Sequence, residues 1–98
     1  DSSIKRFEYC YDCFWKLLKN YLEVRHNIDD INSPRSVFRA CIEFQICSKS
    51  EGEILLAMID DRNQSTHNYD ADEVREIVPN LQGYYQLMVK ILKILDIK

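Results

Sequence analysis

The sequence predicts an all-α protein folded as an up-and-down four-helix bundle. Three observations carry this reading. Apolar residues recur at intervals of three and four along four separate stretches. Only 2 Gly and 2 Pro occur in 98 residues, which leaves little material for the tight turns of a β-fold. No stretch alternates apolar and polar residues as a half-buried strand does. The length fits one domain over residues 1–98, and a domain of this size buries roughly two thirds of its unfolded surface, so partner chains are expected.

The first helix is read from "SSIKRFEYCYDCFWKLLKNYLEV" and runs to about Arg25. Its apolar positions are Ile4, Phe7, Tyr11, Phe14, Trp15, Leu18 and Leu22, with Asp1, Ser2 or Ser3 as the cap. The aromatics among them are expected in the core rather than in a base-binding pocket. Lys16 and Lys19 fall on the polar side, as a solvated face. "HNIDDINSP" then reads as a loop, because Asn and Asp favour turns.

The second helix starts at Ser33-Pro34, where Ser caps and Pro suits the first helical position. It carries Val37, Phe38, Cys41, Ile42 and Phe44 and should fade near Ile46. The third helix is expected from about Glu51, with Ile54, Leu55, Met58 and Ile59 as its stripe and Arg62 and Ser65 on one flank. The fourth starts after Asp70 or Asp72, whose charges suit a helix N-terminus. Val74, Ile77, Val78, Leu81, Tyr84, Tyr85, Met88, Ile91, Leu92 and Leu95 keep one register through it, with a kink or brief break at Pro79.

Charge and cysteine usage narrow the function. The formal net charge is −3, which weakens a general nucleic-acid footprint but leaves room for a local basic groove. No apolar run approaches the ~20 residues of a membrane span, and no signal peptide opens the chain, so the cytoplasm is expected. Cys10 and Cys13 have metal-pair spacing but sit inside a helical pattern, and Cys41 and Cys47 do not repeat it. Reduced, half-buried thiols are the expected reading, with no metal and no cofactor. The absence of a Gly-rich phosphate loop argues against a nucleotidyltransferase.

The polar segment "RNQSTHNYD", residues 62–70, interrupts the apolar pattern. A histidine moves protons near neutral pH, and a guanidinium offsets phosphate charge. RNA brings its own nucleophile, the 2′-hydroxyl, so Arg62 and His67 fit metal-independent RNA cleavage. Tyr69 can stack on a base, and Asn63, Ser65, Thr66 and Asn68 are candidate substrate-binding groups. Five residues turn an α-helix by about 140° beyond one full turn. Arg62 and His67 therefore converge only if the helix ends near Thr66 or if a second subunit supplies one of them. Arg62 is equally able to pair with a carboxylate.

Three ordered blocks carry a resemblance over nearly the whole chain. "RFEYCYDCFWKLLKNYL", "SPRSVFRACIEF" and "GEILLAMIDDRNQSTHNYD" resemble the nucleotidyltransferase substrate-binding proteins of the HEPN superfamily. The resemblance implies a helical bundle that is usually a homodimer, with a further helix before the first one here. It implies a minimal nucleotidyltransferase as partner, in a two-component or toxin–antitoxin system. It implies that Arg62 and His67 form a ribonuclease site at the dimer interface, and that the partner attaches AMP to Tyr69 to silence it. The alternative it leaves is a non-catalytic subunit that binds nucleotide or another substrate for that enzyme.

Overall fold

The computed structural model describes the backbone of residues 2–67 and 71–96 and the side chains of residues 3–65 and 75–96. The described chain is all-α. Helix α1 spans Ser2–His26, α2 Pro34–Glu43, α3 Lys49–His67 and α4 Ala71–Leu95. Neighbours in sequence pack together, and α1 closes the bundle by packing on α3 and α4 as well as on α2. The molecule measures 42 × 24 × 24 Å, with its long dimension set by the two 25-residue helices.

The core follows the expected stripes except at Phe44, Ile54 and Val78, which are exposed. Ile4, Phe7, Tyr11, Phe14, Leu18 and Leu22 of α1 are buried, with Val37, Phe38 and Cys41 of α2 and Leu55, Met58 and Ile59 of α3. Helix α4 adds Ile77, Leu81, Tyr84, Leu87, Met88 and Ile91. Phe7, Tyr11, Phe14 and Phe38 form tilted and edge-on ring contacts at 6.0–6.3 Å, and Phe7 stacks on Tyr84 at 5.7 Å. These aromatics are core, and each large side chain contributes roughly 1.5–3 kcal/mol by leaving water. Trp15 packs at the core edge.

Local chemistry sets the helix ends. Asn27 and Asp30 take left-handed backbone (φ 52° and 69°) in the loop, as short polar side chains can. Ser33 and Ser36 form a reciprocal capping box, with Pro34 in the first turn. Helix α2 ends at Glu43, earlier than the sequence suggested. The Ile46 amide donates to the Cys41 carbonyl (2.9 Å) and the Gln45 amide to Ile42 (3.1 Å), the paired bonds of a Schellman turn.

Helix α3 begins at Lys49, two residues before its expected start. Ser48 Oγ accepts from the Glu51 amide (3.1 Å) and Glu51 Oε1 accepts from the Ser48 amide (2.9 Å). This second capping box moves the helix start upstream. Gly52 lies buried against α2, where a Cβ would overlap the Ile42 side chain, so the glycine sets the close approach of these helices. Helix α4 runs through Pro79 without a break. Pro79 is on the exposed face, where water can make up for a lost backbone bond. The capping role expected of Asp70 lies outside the described residues. No described helix is long and apolar enough to cross a membrane.

Candidate functional site

The consecutive residues Asp60, Asp61 and Arg62 send one side chain to each of the other helices. Asp60 pairs with Arg35 of α2 (3.8 Å). Asp61 accepts from the Tyr84 hydroxyl and from Asn80 Nδ2 (3.3 Å), both on α4. Arg62 turns to α1, where Nη1 meets Glu8 (3.3 Å) and Nη2 meets Asp12 (3.6 Å). About 100° separates successive residues on a helix, so three in a row reach three directions. The polar segment thus ties α3 firmly to α1 and α4 and loosely to α2.

Arg62 continues the buried stripe of α3, at the seventh position after Leu55. Its guanidinium lies 5.9 Å from the Tyr11 ring centre, and its Nε has no hydrogen-bond acceptor among the described residues. Ser65 is 2% exposed, and its hydroxyl lies 2.9 Å from Glu8 Oε2 and 2.8 Å from the Arg62 carbonyl. One hydroxyl proton serves both acceptors. Glu8 therefore collects Arg62 and Ser65 together. The pairing open to Arg62 in the sequence is realised with carboxylates of α1, not with its neighbours Asp60 and Asp61.

The environment tunes two nearby phenols. Burial pushes the Tyr11 hydroxyl up to about 12, against the opposing pull of Arg62. Burial, and then the hydrogen bond to Asp61, raise Tyr84 above the ordinary phenol value of 10. Both stay neutral donors at physiological pH.

The other expected site residues divide clearly. Asn63 is exposed. Thr66 and His67 belong to α3, whose backbone runs through His67, while their side chains lie outside the described residues. Asn68 and Tyr69 also lie outside them. A helix end at Thr66 does not bring Arg62 and His67 together, because the two positions stand about 140° apart on one continuous helix.

Glu8 and Asp12 were missed in the sequence because 54 residues separate Glu8 from Arg62. One signal pointed to them. Glu8 falls four residues after Ile4 and three before Tyr11, inside the apolar arc of α1, where a carboxylate needs a partner. Among the described residues no group of His, Cys, Asp and Glu is arranged to hold a metal ion. Cys10 is a partly exposed and Cys13 an exposed free thiol, and Cys41 and Cys47 are buried ones.

A family model described as nucleotidyltransferase substrate binding protein like matches residues 1–97. The chain is also similar to a crystal structure of a protein from Thermus thermophilus, with a TM-score of 0.92 and 35% identity. That likeness covers 97% of this chain and 79% of the other. No curated protein matches the chain.

Proposed function

The chain belongs to the nucleotidyltransferase substrate-binding protein family, and we propose that it is the helical partner subunit of a nucleotidyltransferase, binding nucleotide or substrate for that enzyme. The observation that favours a binding role is the state of Arg62. Two carboxylates already hold its guanidinium, and α3 carries Arg62 and His67 on different sides. Arg62 thus serves first as an anchor within a single chain rather than as a free cation. Asn63, Thr66 and Asn68 are the residues we assign to substrate contact, with Ser65 as a positioning residue for Arg62.

Co-expression with a candidate partner nucleotidyltransferase from the same genome tests this reading. The expected result is a co-purifying complex whose nucleotide transfer slows when Asn63 and Asn68 are changed to Ala. Two proteins that elute separately at micromolar concentration, with transfer unaffected by this chain, would sink it.

A second reading is favoured by the partial exposure of Arg62, 21%, which leaves part of the side chain open to an incoming phosphate. In it the chain is a homodimeric HEPN-type ribonuclease, with Arg62 of one protomer facing His67 of its partner. The 2′-hydroxyl attacks phosphorus, the 5′-oxygen leaves, and a 2′,3′-cyclic phosphate forms. Arg62 offsets phosphorane charge, and His67 takes the hydroxyl proton or gives one to the leaving oxygen. AMP attached to the Tyr69 hydroxyl blocks the groove. Cyclic-phosphate ends produced in excess chelator, and lost in His67→Ala, would raise this reading above the first.

A further inference from the structure

We propose that the groove between the 27–33 loop and α2 is a binding site for a mononucleotide, distinct from the Arg62 cluster. The inference deepens the substrate-binding reading above and rests on it for the choice of a nucleotide over other phosphate esters. The groove has a volume of about 350 Å³, at the lower end of the range of small-molecule sites. Its lining follows the order of a nucleotide's parts. Arg35 and Arg39 stand one turn apart on one side of α2, followed by Glu43 and Phe44, with Ile28 and Ile31 across from them.

Each group has a matching role. Two guanidiniums one turn apart repel each other slightly, and a phosphate dianion between them turns that cost into attraction. Arg35 has a loose partner in Asp60, at 3.8 Å with both side chains largely exposed, and a phosphate displaces such a pair at little cost. Arg39 makes no ion pair among the described residues. The Ser33 and Ser36 amides at the start of α2 are engaged in the capping box, so the guanidiniums carry most of the charge recognition.

Glu43 accepts from ribose hydroxyls, the use to which carboxylates are put in nucleotide sites. Phe44 is 41% exposed, and its ring packs on His26 at 4.7 Å, which in turn neighbours Tyr21 at 6.0 Å. A base laid on Phe44 extends this row of rings and covers Ile28 and Ile31. The sequence places His26 at the start of the expected loop. The structure makes it the last residue of α1 and the support of Phe44.

The test is a titration of the whole chain with AMP, adenosine and inorganic phosphate, followed by amide and His ring resonances. AMP is expected to bind more tightly than either fragment and to shift signals of His26, Arg39 and Phe44. Arg39→Ala is expected to weaken AMP by about tenfold, with partial rescue by Arg39→Lys. Phe44→Ala is expected to weaken adenosine and leave phosphate unchanged. AMP affinity unchanged in Arg39→Ala, or shifts confined to other helices, would overturn the assignment. A chain that joins its nucleotidyltransferase but ignores AMP loses this site and keeps the subunit role. One that binds AMP through Arg39 but no such enzyme does the reverse.

Discussion

The Arg62 guanidinium meets Glu8 across the α1–α3 contact at 3.3 Å, with the two side chains only 21% and 18% exposed. Asp12 holds the other terminal nitrogen, and Ser65 donates to the same Glu8 oxygen. Arg62 is thus a structural cation as well as a candidate functional one. Arg62→Ala would leave two carboxylates one turn apart with no cation between them. We expect a loss of about 2 kcal/mol, between the cost for exposed and for fully buried pairs. Thermal melts of Arg62→Ala and Arg62→Lys check this. A melt unchanged in Arg62→Ala would make the pairing energetically idle. Glu8→Gln should keep the fold and release Arg62 toward anions, raising phosphate affinity at that end of the bundle.

Tyr84 and Asp61 fix α4 to α3 in a different way. The neutral phenol donates to a carboxylate, and its ionisation would put two negative charges together. Tyr84 is raised above its ordinary value of 10, first by burial and then by that bond. A raised folded value means that the contribution is complete below pH 10 and is lost as pH rises through the folded value. Tyr11, raised to about 12 by burial, adds in the same direction. Stability should therefore fall above pH 10, in step with phenolate absorbance. Tyr84→Phe should cost about 2 kcal/mol at neutral pH and flatten the alkaline slope. An equally steep slope in Tyr84→Phe would assign the loss elsewhere.

How much of this was legible in the sequence depended on range. The buried faces of α1 and α4 followed from periodicity, because burial imposes the repeat that the residues display. Helix ends were less legible. Ser48 and Glu51 carry a capping box, yet "SKSEG" also has the composition of a loop, and only the two bonds choose between them. The extended α4 overrode Pro79, since packing of Ile77, Leu81 and Tyr84 on one side outweighs one missing bond on the exposed side. At the candidate site, the sequence raised carboxylate pairing for Arg62 but could not supply Glu8 and Asp12, which the fold brings from another helix. The groove of Arg35, Arg39 and Phe44 was invisible for the same reason. Its far wall, Ile28 and Ile31, comes from a loop whose path rests on left-handed Asn27 and Asp30.

Glu51 links the start of α3 to the far end of α4. Lys90 Nζ lies 2.7 Å from Glu51 Oε2, while Oε1 accepts from the Ser48 amide. The Lys90 contact first, and the Ser48 amide second, hold the carboxyl down at about 2, below its ordinary 4.5. A lowered folded value means that the contribution is present above pH 4.5 and is lost as pH falls toward 2. The melting temperature should drop across that window more steeply in the parent protein than in Glu51→Gln. The two curves should meet at the acid end. Parallel curves would show that other carboxylates set the acid limit.

Gln45 gives the simplest engineering test of the α2 terminus. It occupies the left-handed position of the Schellman turn at φ 60°, where glycine is the usual residue. A side chain there costs roughly 1–2 kcal/mol against Cβ contacts. Glycine removes that cost but adds freedom to the unfolded chain, worth about 0.5–1 kcal/mol in the opposite direction. The balance favours Gln45→Gly by about 0.5–1 kcal/mol, a melting temperature higher by several degrees at this size. Gln45 is exposed, and its side chain makes no hydrogen bond among the described residues that glycine would forfeit. Gln45→Val, with a branched side chain at the same backbone angle, should lose about 1 kcal/mol instead. The opposite order of the two melts would mean that the turn relaxes out of the left-handed region at no cost. The Ile46–Cys41 bond, followed by amide exchange, would then be expected to open in the parent protein as well.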